Sequence, residues 1–543
     1  MAIITIPAPR RTIWTPGVRT GVIGGLFQYR PGGALQRTVL RDVVAEFGAD
    51  NTGATNAGPL IQAAINAASA GQVVYLPPGT YLLTTSVFVP YNKKNITVRG
   101  AGMGITKIIM QGNVVFAIGT GSDYQWLYPP TNSTITSPLT QGATELTMAS
   151  TSAFSPGQMI NLLTENEMDN TQIMAGETPH LSVFGFPNLR RPKYRVVSKT
   201  STTLTIFPPL YFTTRAGLSA VARVAQLHGE GVGIEDIEFD FNLCTNPTPL
   251  SIEQCINCWF YRVKALNTAS YLLSITSCLH VEVRQCWLDT RRFAGSNGAA
   301  LLFASSSACL VIYNVLARVF PCTEVNFGSC GNAFVFNVIE AKISDTGGMM
   351  NTNHAPHNSH NVYEYNITPN VQSDGYFGGA SDDTFYRNWI TGADYGRTRR
   401  VFTVSFNRGV RNFNVLGNII GINGYKDGAI SYGNPNMGNG VFVGSAQPSI
   451  GDFWNDWGSR ATILTRVSDS HGTMALSSGS LAVGQLAHII WAPQPNLTPN
   501  RRAFTVPSGG VSGSTISIGG VASDSGTALP PVGTEVLVFM GPS

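Results

Sequence analysis

Between residues 314 and 418 one short pattern returns five times: an aromatic, basic or small residue, then Asn, then aliphatic or aromatic residues. It reads "YNVL" at Asn314, "FNVI" at Asn337, "YNIT" at Asn366, "RNWI" at Asn388 and "GNII" at Asn418. The intervals between these asparagines are 23, 29, 22 and 30 residues, so the unit is a coil of fixed core and variable loops. Such a unit cannot bury its own apolar face and must stack on its neighbours. Stacking also explains the asparagine. A side-chain amide carries both a donor and an acceptor, so amides one strand spacing apart can satisfy one another inside a turn. The pattern predicts a mostly β chain built around a parallel β-helix from about residue 227 onward.

Composition agrees. Only 12% of the residues are charged, against 58 glycines and many Val, Ile, Ser, Thr and Asn, which suits short strands and turns. With 543 residues the chain is long for one ordinary core, but not for an elongated repetitive body. The formal net charge of +4 makes no case for nucleic acid. "LRRPKYR" (Leu189 to Arg195) and "RTRR" (Arg397 to Arg400) are read as solvated loops or subunit contacts. All eight cysteines, Cys244 to Cys330, fall within 87 residues in strand-like surroundings. The single C-x-x-C pair, "CINC", has no partner pair for zinc, so buried free thiols are expected, as in a protein folded in a reducing cytoplasm. The apolar stretch Ala300 to Phe320 is broken by serines, Asn314 and Arg318 and reads as buried strands, not a membrane span.

The chain divides into five expected segments. Residues 1–38 form an arm rich in Pro, Arg and Gly, without a signal-peptide core. Residues 39–118 start the β-helix: Pro59 opens a short helix whose apolar face is Leu60, Ile61, Ala64, Ile65 and Ala68, placed to cover an open sheet end. Residues 119–226, with "GATELTMAS" and "YRVVSKTSTTLTIF", alternate as antiparallel strands and form an inserted β domain. Residues 227–458 are the main β-helix, and 459–543 a C-terminal β cap or trimerisation domain.

The stretch "FGADNTGATNAGPLIQAAINAA" followed by "VVYLPPGTYLL" resembles the start of the pectin-lyase-like superfamily, which includes phage tailspike depolymerases and polygalacturonases. "NITVRGAGMGITKI" resembles the first rung that follows. The opening loop departs from the superfamily's aspartate pair, with Asn56 in "TNAG". The resemblance implies a right-handed parallel β-helix with a carbohydrate-related role, frequently in a homotrimer. It fixes no active site, because members place catalysis on different rungs. Of the polygalacturonase motifs only "SDD" (Ser381 to Asp383) is present.

Aligning coils on the asparagines gives spatial expectations. His360 and Asp382 each lie six residues before a ladder asparagine, which makes them neighbours about 4.8 Å apart along the stack. With Asp374, Asp383 and Arg387 they form the expected catalytic set. Paired carboxylates would suit a hydrolase, and a base with Arg387 on a uronate would suit a lyase. Residues one and three before the asparagines, among them Tyr313, Phe334, Phe336, Tyr363, Tyr365 and Phe385, are expected on the outer face, with Glu364 an inward misfit. "NTNHAPHNSH" holds His354, His357 and His360 around Pro356; it reads as a polar loop, not a metal site, and with Tyr363, Tyr365 and Tyr376 would contact sugar.

The function these readings support is a phage tailspike-like virion protein, assembled in the host cytoplasm and resident in the virion tail. It would bind and depolymerise host surface polysaccharide without a cofactor, form a homotrimer, and meet other tail proteins through its arm, with no membrane span. The alternatives are a fibre that only binds glycan or serves as structure, and an extracellular bacterial polysaccharide lyase or hydrolase.

Overall fold

The computed structural model describes residues 39–119, 132–164, 191–214, 220–225, 228–268, 270–289, 298–317, 321–340, 349–355, 358–373, 380–392, 403–406, 413–420, 459–477, 481, 483–484, 486–491, 500–519, 525–526 and 528–540. Three parallel sheets run along the body; most coils add one short strand to each, while Gly233–Cys244 and Trp259–Leu266 each span the first two. The first sheet stacks Val39–Asp42, Gln72–Leu76 and Thr97–Gly100, and later Leu310–Ile312, Ala333–Val335, Val362–Glu364 and Thr384–Tyr386. The second includes Val315–Ala317, Val338–Ile339, Ile367–Thr368 and Trp389–Ile390. The third runs from Val87–Val89 through Leu273–Thr276, Leu301–Ala304, Thr323–Asn326, Met350–Asn351 and Val371–Ser373 to Val404–Phe406. This is a parallel β-helix, as the repeat predicts.

The interior is apolar along each strand and polar at the corners. Between the first and second sheets, Asn366 Nδ2 donates to Asn388 Oδ1 at 3.0 Å, and Asn337 Nδ2 to Asn366 Oδ1 at 2.9 Å, while each amide also donates to a strand carbonyl. The same oxygens accept the backbone N–H of the asparagine in the preceding coil. Every amide therefore uses both ends. Earlier coils fill this inner position with Ile237, Val263 and Cys286, all buried. A second ladder lies at the corner between the third and first sheets, where Cys309 N–H, Asn332, Asn361 and Asp383 follow one another. The eight cysteines are free and buried, seven of them in the main core.

Helix α1, Gly58–Ala67, has Pro59 in its first turn and buries Ile61, Ala64 and Ile65 in the main core. Gln62 accepts the Phe88 N–H at 2.7 Å and donates to the Phe88 carbonyl at 2.9 Å, standing in for a strand at the edge of the third sheet.

A six-stranded antiparallel sheet between Asn132 and Val224 has its own core around Leu146, Phe154 and Tyr194 and rests on the corner between the third and first sheets. An eight-stranded antiparallel sheet between Ser459 and Met540 packs Ala461, Ile463 and Val538 against Val338, Ile367 and Trp389 on the outside of the second sheet.

The outward aromatic column is only half as expected. Tyr313, Phe336 and Tyr365 lie outside, stacked at 5.4 and 4.9 Å, and pack on the C-terminal sheet. Phe334, Tyr363 and Phe385 lie inside, stacked at 5.0 and 4.9 Å in the main core. The residue before each asparagine has a positive φ, 58° at Tyr313, 54° at Phe336 and 51° at Tyr365, so the in-out alternation slips by one there. Glu364 accordingly belongs to the outward set.

Asn366→Ala would leave the Asn337 N–H and Nδ2 without their acceptor and the Phe334 carbonyl without its donor. It is expected to destabilise by roughly 3 kcal/mol or more, and Cys286→Ala, an apolar loss at the same inner position, by about half of that. Denaturant titration of both variants checks this; equal losses would mean that the amides add nothing beyond packing.

Candidate functional site

The outer face of the third sheet carries a row of polar side chains, one coil after another. All four residues of "TEVN" are buried: Val325 belongs to the main core, and strand alternation puts Glu324 and Asn326, 7% and 5% exposed, on the opposite face. In register along the stack, the outward positions are Ser251, Ser274, Leu302, Glu324, Asn351 and Gln372. Asn326 Nδ2 donates to Glu324 Oε1 at 2.6 Å, and its Oδ1 accepts the Ala355 N–H at 3.0 Å. Asn326 thus fixes the carboxylate and ties it to the loop of the next coil.

That loop carries His354, half-buried, whose backbone N–H donates to the Val325 carbonyl at 3.3 Å. Two coils the other way, Tyr271 opens its strand; burial, and then the negative charge of Glu324, push its phenol up. Gln372 points an amide oxygen that has no hydrogen-bond partner into the same face. Burial alone raises the Glu253 carboxyl, farther along the stripe. A carboxylate, a phenol and amides along one sheet can hold sugar hydroxyls and exchange protons at a glycosidic oxygen. Among the described residues no three His, Cys, Asp or Glu side chains gather as metal ligands.

Residues 41–178 match the model of the family described as Rhamnogalacturonase A/epimerase, pectate lyase-like. The start of the β-helix is thus similar to that family. Similar solved structures include the tailspike gp61 of Pseudomonas phage phi297, with 12% identity, TM-score 0.39, and coverage of 92% of this chain and 98% of that one. The tailspike gp49 of Pseudomonas phage LKA1 gives 11%, 0.40, and 92% and 98%. The Gp54 tailspike of Acinetobacter baumannii phage AP22, solved with a capsular saccharide, gives 9%, 0.39, and 92% and 96%. No curated protein matches the chain.

The residues expected from sequence are dispersed. His360 and Asp382 do occupy one position on adjacent coils, with φ of 58° and 60°, and the His360 N–H donates to the Ser381 carbonyl at 3.3 Å. The His360 ring is buried, with its centroid 6.4 Å from Phe212 of the inserted sheet. Asp382 is half-buried. Asp383 is inside, 0% exposed, capping the second ladder with one oxygen while the other has no partner. Burial pushes its carboxyl well above the ordinary value, against the pull of the Asn361 N–H bonds. Asp383 and Tyr363 thus depart from the expectation of solvent-facing site residues, both being carried inward by the positive-φ turns at Asp382 and Tyr365. Arg387 is exposed, bonded to the Tyr365 hydroxyl and lying over the Tyr365 and Tyr386 rings at 5.5 and 4.7 Å. Tyr365 faces the C-terminal sheet. Of the expected residues, His354 is the one whose backbone bonds to the Glu324 strand, at Val325. His357, Asp374 and Tyr376 lie outside the described residues.

Glu324, Asn326, Asn351, Gln372 and Tyr271 escaped sequence reasoning. The signal was present in "TEVN", "MNTN" and "VQS", where Glu324, Asn351 and Gln372 each stand second.

Glu364, fully buried with neither oxygen bonded, has its carboxyl raised by burial to about 8 despite the nearby Arg387. The unfolded chain ionises it near its ordinary value and the folded one does not, so stability contributed here falls as pH rises from about 4.5 to about 8. Glu364→Gln should match the wild type below pH 4.5 and exceed it by several kcal/mol at pH 8, read from thermal unfolding across pH. Asp383→Asn, whose new amide can join the ladder, should likewise be no less stable than the wild type.

Proposed function

We propose that this chain is a phage tailspike-like virion protein that binds host surface polysaccharide along the outer face of its third sheet and cleaves it there. The observation that carries the reading is Glu324, a carboxylate held by Asn326 on an outward polar stripe of a parallel β-helix. Each coil offers one or two side chains at an interval of about 4.8 Å, so the stripe presents hydrogen-bonding groups at regular steps, as an extended polymer requires. Glu324 is the proton-transferring group, with His354 and Tyr271 as its partners in moving protons to and from the bond. Asn351 and Gln372 hold sugar hydroxyls. The pectate lyase-like match over residues 41–178 supports carbohydrate as the ligand. In this reading the protein resides in the virion tail as a homotrimer, and residues 1–38 meet other tail proteins.

The test is oligosaccharide release from a panel of bacterial capsules and lipopolysaccharides that includes the host's. Glu324→Gln is expected to lower the release rate by about a hundredfold or more while polymer binding persists, and Asp383→Asn to leave release unchanged. Ultraviolet absorbance of an unsaturated product separates lyase from hydrolase. Binding without release by the wild type would make the chain a glycan-binding fibre. Undiminished release by Glu324→Gln would move the chemistry off this stripe.

A further inference from the structure

The inserted sheet meets the β-helix along a seam that is apolar at its centre and holds bases with no carboxylate to receive them. Met159 packs with Ile256, Leu279 and Ala308 of the helix corner, and Cys330 of the helix joins the inserted sheet's own core. The His280 ring lies 5.4 Å from Phe207, and its Nε2 is buried without a hydrogen-bond partner. Lys193 is fully buried at the seam. Its backbone N–H donates to Ser307 Oγ at 3.0 Å, and its Nζ has only the Arg191 carbonyl, at 3.2 Å.

The cations near these bases make protonation unwelcome: Arg195 lies near His280, and Arg191 near Lys193. His228, at the edge of the seam, faces Lys94, Glu230 and Arg195. Glu230 is already shared by Arg195 at 2.9 Å and Lys94 at 3.6 Å.

We propose that the inserted domain is docked on the β-helix through bases kept neutral by burial, and that it lifts off the helix in acid. Burial lowers His280 to about 3 and His228 to about 4, and holds Lys193 well below its ordinary value. Undocking returns each to water and to its ordinary affinity for protons. Docking is therefore strongest at alkaline pH. Below about 6.5 the undocked state gains about tenfold in population per histidine for each pH unit, until the buried values are reached.

Cys330 reports the event. It is the one cysteine packed under the inserted sheet, whereas the other seven sit in the main core of the helix. The full chain is treated with dithiodipyridine, which attacks thiols in acid as well as at neutral pH, between pH 7.5 and 4. Labelled positions are read by mass spectrometry, and far-ultraviolet dichroism is followed alongside. The expected result is labelling of Cys330 alone, at least tenfold faster at pH 4.5 than at pH 7 relative to the other seven, with the dichroism unchanged. Lys193→Met and His280→Asn, the latter placing there the residue that Asn257 supplies at a matching turn, should each move the onset to lower pH. Simultaneous labelling of all eight thiols, no labelling of Cys330 down to pH 4, or an onset that neither variant shifts would overturn the proposal.

Discussion

The hydrogen bonds between stacked side-chain amides at the coil corners are the constraint on which the body depends. A coil of this size turns sharply at each corner, and the turn residue takes a positive φ even where it is Tyr, Phe or Arg. That geometry is unfavourable for such side chains by itself. The next residue, an asparagine, accepts from the backbone N–H and the amide of the coil before it and donates to a carbonyl within the core. Corner, register and interior polarity are thereby settled together, and the apolar strands between corners only have to fill space.

The ladder's composition changes along the body. Cys258, Val281 and Cys309 hold the inner corner position in early coils, and Asn332, Asn361 and Asp383 hold it later. Apolar residues and thiols ask little of the neighbouring coil, whereas an amide demands an amide or carboxylate beside it. Asp383 belongs to this series and not to surface chemistry, which accounts for an ionisable group with no path to water.

The coil architecture was legible in the sequence because the ladder residues recur with the right neighbours, and α1 because Pro59 and one apolar face announce it. The antiparallel sheets were legible from alternation. What the sequence concealed was parity. Nothing in Tyr365 or Arg387 as residue types signals a positive φ, since these types rarely adopt it, so counting back from the asparagine put Tyr363 outside and Glu364 inside. Attention to histidines and aspartates led to the corner where His360 meets the inserted sheet, whereas Glu324 lies on the neighbouring sheet.

Gln62 has a consequence for assembly. A stack of parallel strands is open at its ends, and two copies could in principle continue one another's sheets. By occupying both backbone groups of Phe88, the Gln62 amide removes the bonding positions at the start of the third sheet that an incoming strand would use. At that sheet edge end-to-end growth is closed by one side chain.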